Sequence, residues 1–480
     1  MGGAFLGVSN DASAATWNPA GLIFNEGVSL SWNYSSSHIG LGLDHKPVGP
    51  TVYPTIEGSS SDNMSNLSSA SFIAPLTLRE HAFVLAAYYH RIQDVYARGE
   101  FLVDDMDTTV RPQVLGTPFT TDFDLIGNVG LIGAGFGTSV ATNLTVGGTL
   151  NIITGDAGES HRLRLDSTRY NENQSNPLPG SIDEIIWTDK SDIDYSGLNF
   201  TLGAMYNTER WTAGIVFTPG WTLTQNLDYL GRRVRIENQI PEPSLGIVPG
   251  PDGTNREIQI PYTIGLGGSY HVSDNLLVAA DYQFRAFKRE GAIRYESDPV
   301  TPDSPLESQD DKFYNLHQLR LGAEYVMETD WGIVPIRLGV RNDPLLLGDQ
   351  HGVLAVYDQR AGYQGDDPAR KKDLTPRDDY FLPLTQSGGT DTQINPITFS
   401  VGSGVHWTQI HLDFAFEIMG YTYEESGSLR LIRRCDDCSA NDPKLAKDDW
   451  GLRATDKVGS YERIYEDNRV RLTLNFTGYF

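Results

Sequence analysis

The sequence predicts an all-β protein, a transmembrane antiparallel β-barrel of about fourteen strands. Three observations support this. Apolar and polar residues alternate with period two in stretches much longer than the roughly five or six residues of a soluble strand. Short and long links between these stretches follow each other in strict alternation. The 480 residues include 49 glycines and 50 aromatic residues, 19 Phe, 23 Tyr and 8 Trp, but no apolar run of the roughly 18 residues that a membrane-spanning helix needs.

The final stretch of the chain shows the alternation clearly. Val470, Leu472 and Leu474 fall on one face, whereas Arg469 and Arg471 fall on the other. Such a strand has one apolar and one polar side. Thirteen other stretches complete the predicted set: 27–36, 68–76, 82–98, 121–139, 143–154, 193–207, 210–226, 256–271, 275–289, 312–327, 332–341, 393–407 and 409–424, followed by 463–480.

The lengths of the links distinguish a membrane barrel from a soluble sandwich. Every second link is a short turn, and the links between them are long. Outer-membrane barrels have short periplasmic turns and long extracellular loops, whereas a soluble sandwich has no reason to place all long loops at one end. Glycines weaken the alternation of the fourth stretch and predict bulges or kinks there: Gly127, Gly130, Gly133, Gly135 and Gly137.

The charge of the chain restricts its partners. With 37 basic and 62 acidic residues the net charge is −25, which argues against nucleic-acid binding because that requires a basic surface. Most of the acidic residues fall in the long loops. They form either a solvated surface or a site for divalent cations such as Ca²⁺ beside anionic lipopolysaccharide. No loop has the spacing of an EF-hand, and no other cofactor is expected.

The N-terminal residues differ from the rest of the chain. Residues 1–26 lack strand alternation and contain small residues followed by Trp17, Asn18, Pro19 and Ala20. A proline ends a preceding helix, so a short helix that stops at Asn18 is predicted. The segment precedes the first strand and is expected to fold into the lumen as a hatch, with residues 27–480 forming the barrel. No basic or long apolar leader is present, and we expect that a signal peptide is absent from this numbering.

These N-terminal residues resemble those of the FadL family of outer-membrane transport proteins, which includes the OmpP1 and TodX types, and of the PorV branch of the same superfamily. The similarity rests on Gly-Gly-Ala-Phe at 2–5, on Ala-Ser-Ala at 12–14 and on Trp-Asn-Pro-Ala-Gly-Leu at 17–22. The resemblance implies a fourteen-stranded barrel in the bacterial outer membrane, with a hatch that carries an Asn-Pro-Ala motif.

The same resemblance implies passive uptake of hydrophobic small molecules, such as long-chain fatty acids or hydrocarbons. External loops would capture the ligand, which would leave through a gap in the wall beside a kinked third strand. The stretch 82–98 has broken alternation, as such a kink would produce, although an incorrectly phased strand would look the same. The alternative implied by the PorV branch is an adapter that binds another outer-membrane or secreted protein. Outer-membrane lipid and lipopolysaccharide are expected neighbours in both cases.

Charged residues on the predicted lumen face are candidates for ligand binding. Asp281 and Glu324 are among the acidic ones, and Arg285, Arg320 and Arg337 are the arginines of greatest interest. An arginine could bind a ligand carboxylate in a bidentate manner. The alternative is that these charges form ion pairs with one another and hold the plug.

Two predicted external loops, 155–192 and 227–255, contain apolar clusters that could capture a ligand. Self-packing of the loops into a cap is the alternative. The candidate residues are Ile185, Ile186 and Trp187 in the first loop and Val234, Ile236 and Ile240 in the second.

The two cysteines, Cys435 and Cys438, lie in the last predicted external loop. They favour a small structural disulfide, because a zinc site would need two further ligands. The sequence contains no Gly-x-Ser-x-Gly motif, the nucleophile motif of many hydrolases. Its ten histidines are scattered. We therefore do not expect an enzyme.

Overall fold

The protein is described here from a computed structural model. The structure describes residues 1–25, 27–48, 55–78, 81–104, 119–166, 184–237, 254–287, 292–295, 312–345, 348–354, 384–389, 393–434 and 452–480. Cys435, Cys438 and Ile240 therefore lie outside the described residues.

The N-terminal segment, residues 1–25, contains two short helices. An α-helix, α1, spans Ala14–Trp17, and a 3₁₀-helix spans Pro19–Phe24. The segment contacts the inner face of the barrel wall, where Leu22 is fully buried. Among the described residues, no helix is both long and apolar enough to cross a membrane.

The described strand segments form fourteen antiparallel barrel strands, some of them in two pieces. Their bounds are Ser29–Val48 (β1), Thr55–Leu78 (β2), His81–Asp104 (β3), Phe119–Ala141 (β4), Leu144–Asp166 (β5), Glu184–Asn207 (β6), Trp211–Thr218 with Trp221–Glu237 (β7), Thr254–Ile260 with Thr263–Ser273 (β8), Leu276–Arg285 with Ala292–Tyr295 (β9), Lys312–Phe313 with Leu316–Thr329 (β10), Gly332–Asn342 with Gly348–Leu354 (β11), Leu384–Gly389 with Ile397–His406 (β12), Ile410–Arg434 (β13) and Leu452–Tyr479 (β14).

The sheet is closed by its first and last strands. β1 pairs with β14 from Ser29 opposite Tyr479 to Val48 opposite Ser460 without a shift in register. All the remaining pairings join strands that are consecutive in sequence. Closure matters because hydrocarbon cannot satisfy the free backbone groups of a sheet edge. The fold class predicted from the sequence is therefore confirmed.

The two faces of the wall differ in chemistry. Outward-facing apolar side chains form a continuous exposed belt, which on β13 consists of Ile410, Leu412, Phe414, Phe416 and Ile418. Buried inward-facing residues on β1, such as Ser31 and Ser35, are polar. Aromatic rings stack at the edge of the belt, for example Tyr206 on Trp211. A soluble barrel would bury its apolar face, so this belt is the lipid-contacting surface.

The strands are longer than the apolar pattern predicted. β5 runs to Asp166 and β6 begins at Glu184, although the sequence placed 155–192 in a loop. β7 likewise runs to Glu237. Just beyond the belt the exposed residues of these strands are polar, such as Asp156 on β5 and Asp194 on β6, so the alternation of apolar residues ends while backbone pairing continues. The predicted loop boundaries were wrong for this reason.

We expect Phe414, at the centre of the belt on β13, to report on lipid contact. Its side chain is 51% exposed. Phe414→Arg should lower the free energy of unfolding in lipid vesicles by about 2–4 kcal/mol, because a charge is placed in the midplane of the bilayer. The measurement is denaturant-induced unfolding from vesicles, with Phe414→Leu as the control. Equal losses for the two variants would argue against lipid contact at this position.

Candidate functional site

The candidate site is a cavity of about 1150 Å³ between the N-terminal segment and the barrel wall. The N-terminal segment forms its floor, with Trp17 and Phe5 among the lining residues. One side is a wall of neutral polar residues on β1, β2 and β14. The adjoining side is an ionic wall on β10 to β13. The site is thus built by strands that are far apart in sequence and by the segment that precedes them.

Asn18 organises the N-terminal segment. Its backbone N–H donates to Ala14 O at 2.9 Å, which ends α1. Its side-chain Oδ1 then accepts from the N–H of Ala20 at 3.2 Å and caps the 3₁₀-helix that Pro19 begins. Its Nδ2 donates to Leu6 O at 3.0 Å and to Ala204 O of β6 at 3.4 Å. A single buried amide therefore joins both helices to the wall.

A row of glycines on the wall receives this segment. Gly137, Gly147 and Gly203 are opposite one another in β4, β5 and β6, and Gly214 is opposite Gly267 in β7 and β8. A Cβ atom on Gly147 would lie 2.3 Å from Pro19 O. One on Gly203 would lie 2.1 Å from Asn18 Oδ1. Side chains here would thus exclude the N-terminal segment, so the glycines provide its docking surface.

Asp281 on β9 extends this surface with a charge. Its Oδ2 accepts from the backbone N–H groups of Phe5 at 2.5 Å and Leu6 at 2.8 Å. The side chain is fully buried and lies opposite Gly267 on one side and Arg320 on the other. A buried carboxylate that accepts backbone N–H groups forms strong, charge-assisted hydrogen bonds. Sequence analysis placed Asp281 in the lumen but did not predict this role.

Arg320, one of the predicted ligand-binding arginines, lies beside the N-terminal segment. Its guanidinium carbon is 5.2 Å from the ring centroid of Trp17, and its Nη2 donates to Gln283 Oε1 at 2.7 Å. Its Nη1 is buried without a hydrogen-bond partner in the part of the chain that the structure describes. The arginine lines the cavity and also supports its floor through a cation–π contact.

Two further arginines of the ionic wall, Arg337 and Arg341, are already paired. Arg337 contacts Glu324 and Asp413, each at 2.5 Å. Arg341 contacts Asp343 at 2.9 Å and Glu417 at 2.6 Å. This is the arrangement that the sequence analysis gave as the alternative to ligand binding. Arg285, the third candidate arginine, lies at the end of the first piece of β9 and is exposed there.

The neutral wall consists of hydroxyl and amide groups. Thr477 Oγ1 donates to Ser31 Oγ at 3.0 Å, and Ser31 Oγ donates to Asn475 Oδ1 at 3.2 Å. Ser35 and Ser68 share a hydrogen bond of 2.6 Å. These groups offer further donors and acceptors to the cavity without carrying charge.

The backbone pairing between β2 and β3 is interrupted. These strands pair from Leu78 opposite His81 to Ser69 opposite His90, and again from Gly58 opposite Phe101. Between these stretches, residues 59–68 and 91–100 form no backbone bridges to each other, although the register on both sides is the same. A bulge in the pairing of β3 with β4 lies at the start of the gap. The third strand, whose alternation is broken in the sequence, therefore borders this gap in backbone pairing.

The predicted capture residues occupy strands rather than loops. In the backbone register Ile185 is opposite Ile236, and Trp187 is opposite Val234, at the outer ends of β6 and β7. Ile186 is opposite Arg235. The two apolar clusters are thus neighbours in the sheet, but the loop placement was wrong because pairing continues beyond the belt. Pro19 and Ala20, from the predicted hatch motif, lie fully buried at the wall.

The glycine row was missed by sequence reasoning. Gly137 was part of the series interpreted as a source of bulges and kinks. Gly147, Gly203 and Gly214 are inward-facing positions with small residues in strands otherwise suited to a polar lumen. The sequence therefore contains glycines at lumen-facing positions of neighbouring strands, but only the strand register shows that these glycines are adjacent.

No protein-family model matches the sequence, and no curated protein sequence matches it. Solved structures do match. A FadL homologue from Pseudomonas aeruginosa aligns over 100% of this chain and 96% of its own, with 14% identity and a TM-score of 0.50. The toluene transporter TbuX of Ralstonia pickettii aligns over 100% and 96%, with 13% identity and a TM-score of 0.45. The toluene transporter TodX of Pseudomonas putida aligns over 98% and 93%, with 12% identity and a TM-score of 0.46.

The closed sheet, its apolar belt and its polar interior define an integral outer-membrane β-barrel. Its fold is that of the FadL homologue from Pseudomonas aeruginosa, with which it aligns over the whole chain.

The docking of the N-terminal segment should depend on the glycine row. Gly203→Ala places a methyl group against Asn18 Oδ1 and should raise hydrogen–deuterium exchange in residues 1–25 at least about tenfold, since buried hydrogen bonds worth about 1–3 kcal/mol are lost. The matched control is Gly268→Ala on the outer face of β8, where the nearest atom would be 3.4 Å away. Exchange as slow in Gly203→Ala as in the control would contradict this account.

The docking should also depend on pH through Asp11. Burial raises the pKa of Asp11, while hydrogen bonds from Ser13 oppose the shift. The carboxyl group of Asp11 therefore holds its proton more tightly when the segment is docked than when the segment is released. Docking is strongest below the ordinary pKa of an aspartate and weakens as the pH rises through the raised pKa. Asp11→Asn keeps an oxygen acceptor and removes the ionisation. We expect slower exchange in Asp11→Asn than in the wild type at pH 7, with the difference vanishing toward pH 4.

The measurement is hydrogen exchange of residues 1–25 across this pH range, corrected for the intrinsic rate at each pH. Parallel pH profiles for the two proteins would show that Asp11 does not control docking.

Proposed function

We propose that this barrel takes up hydrophobic small molecules passively across the outer membrane, with long-chain, fatty-acid-like or hydrocarbon-like molecules as the broad class. The observation that carries the proposal is the continuity between the cavity and the gap in the wall. Ser68 and Ser69, at the edge of the gap on β2, line the cavity, as do Tyr88 and Tyr89 on the facing part of β3. A molecule in the cavity thus has a lateral way out that avoids the floor.

The physical chemistry of such molecules favours a lateral route. Apolar surface is driven out of water, so a hydrophobic molecule gains by moving from the lumen directly to the membrane. The N-terminal segment closes the straight path below, because it packs against six successive strands from β4 to β9. We therefore propose that this segment acts as a hatch and that β3 borders the exit.

Capture would take place at the extracellular end of the barrel. The outer ends of β6 and β7 bring Ile185 and Trp187 opposite Ile236 and Val234 in the register. This pairing concentrates apolar residues from two neighbouring strands at the mouth. We propose that they provide the initial binding surface, from which the ligand moves down into the cavity.

The experiment for this proposal has two parts. Extraction and mass spectrometry of the purified barrel should find a hydrophobic molecule bound in stoichiometric amount. Expression in an outer membrane that lacks proteins of this fold should raise uptake of radiolabelled hydrophobic compounds. An empty barrel that confers no uptake, and that co-purifies with a second outer-membrane or secreted protein, would instead support an adapter role.

Asn18 should link the hatch to uptake. Asn18→Ala removes the hydrogen bonds to Leu6, Ala20 and Ala204 but leaves the closed sheet intact. We expect uptake to change by at least about threefold, while the midpoint of thermal unfolding moves little because closure of the sheet dominates stability. Wild-type uptake of every hydrophobic compound tested, by a folded and inserted variant, would remove Asn18 from the mechanism.

A further inference from the structure

We propose that the molecules passed by this barrel carry an uncharged hydrogen-bonding group, such as a hydroxyl, on an apolar body. This inference rests on the proposed uptake function and names its substrate class more closely. It excludes bare hydrocarbons and anions as the preferred substrates. Four features of the route support it: the level of the gap, the lining of the gap, the neutral wall of the cavity and the pairing of its charges.

The gap lies at the polar edge of the lipid-contacting belt. Leu67 on β2 and Ile92 on β3 lie just inside the gap and are the last exposed large apolar residues in the described parts of these strands. Above Leu67, the outward positions of β2 are exposed polar residues: Ser65, Asn63, Ser61 and Ser59. A molecule leaving here enters the membrane where polar head groups meet hydrocarbon. This boundary is the preferred position of an amphiphile, which keeps its polar end wet and its apolar end buried.

The lining of the gap is polar. Arg91 and Asp94 of β3 form an ion pair, and the Nδ2 atom of Asn66 on β2 donates to Asp94 Oδ1 at 3.3 Å. Ser35 Oγ reaches Asn66 Oδ1 at 3.4 Å. A bare hydrocarbon that passes these groups removes water from them and offers no replacement, which is unfavourable. A hydroxyl on the ligand replaces that water, because it both donates and accepts.

The cavity that leads to the gap is also lined by polar groups on one side. Its neutral wall presents Ser31, Ser35 and Thr477 from β1 and β14, together with Ser68 and Ser69 from β2. The polar lining therefore continues from the cavity into the gap. A ligand hydroxyl has hydrogen-bond partners at each stage of this path, whereas an alkane has none.

The charges of the route do not favour an anion. Two of the four arginines that line the cavity are held by carboxylates, Arg337 by Glu324 and Asp413 and Arg341 by Glu417. Four carboxylate side chains line the cavity as well, so its side-chain charges balance in number. The chain as a whole carries a net charge of −25, which disfavours the approach of anions. An uncharged polar group avoids both the repulsion and the competition with existing ion pairs.

The test compares three probes with the same chain length: dodecane, dodecan-1-ol and dodecanoate. Each is radiolabelled and supplied to cells that express the full chain and to cells that do not. We expect barrel-dependent uptake of dodecan-1-ol to exceed that of dodecane and of dodecanoate at least tenfold. Equal or greater uptake of dodecane or dodecanoate would overturn the substrate class and leave the uptake function standing. No barrel-dependent uptake of any probe would overturn both.

A matched pair of variants on β2 tests the lining of the gap. Asn66→Leu makes the lining apolar. Asn63→Leu makes the same change at an exposed outward position on the same strand, where the Asn63 side chain bonds His38 at 3.0 Å. The ratio of dodecan-1-ol to dodecane uptake should fall at least fivefold in Asn66→Leu and stay unchanged in Asn63→Leu. Asn66→Ser, which restores a hydroxyl, should recover at least half of the wild-type ratio.

The folding of each variant is checked by heat-modified mobility of the inserted barrel. If Asn66→Leu does not insert, Ser68→Val makes the equivalent change at the cavity side of the gap and should lower the ratio in the same direction. An unchanged ratio in the inserted Asn66→Leu or Ser68→Val variant, or an equal fall in Asn63→Leu, would overturn the role of this lining.

Discussion

The closure of the sheet is the constraint on which the rest of the structure depends. A membrane offers no hydrogen bonds to a free strand edge. The first and last strands must therefore pair with each other, and they do so in one register from Ser29 opposite Tyr479 to Val48 opposite Ser460. Once closed, the wall has an outside in contact with lipid and an inside that must be filled or hydrated. Both the polar interior and the N-terminal segment follow from that requirement.

The N-terminal segment is fixed both through its backbone and through buried apolar side chains such as Leu6 and Leu22. Asp281 accepts the N–H groups of Phe5 and Leu6, and wall glycines allow Pro19 and Asn18 to approach the strands closely. Two adjacent surfaces of backbone leave little room for water between them. Apolar side chains add to these contacts, since Leu22 packs in one buried cluster with Ile73 and Val84 of the wall. A change at a single glycine or carboxylate is expected to disturb the close backbone contacts.

The interior divides into an ionic side and a neutral side, and the two have different consequences. Arg337 and Arg341 hold carboxylates from neighbouring strands, which ties the wall together from within and leaves these arginines committed. The serines and threonines of β1 and β14 retain hydrogen-bonding capacity for a ligand. The only described break in the pairing between β2 and β3 lies on the neutral side, so the chemistry of the path and its opening coincide.

The sequence by itself determined the barrel, because the alternation of Val470, Leu472 and Leu474 with charged residues reflects a local property of each strand. It also determined that the chain must turn at Asn18 and Pro19. It could not show how far the strands extend, since the apolar signal ends at the edge of the membrane while backbone pairing continues to Asp166 and Glu237. Only the tertiary structure aligned Gly137, Gly147 and Gly203, paired Arg337 and Arg341 with their carboxylates and interrupted the backbone pairing between β2 and β3. These features depend on strand register, which is set by pairing between residues far apart in sequence.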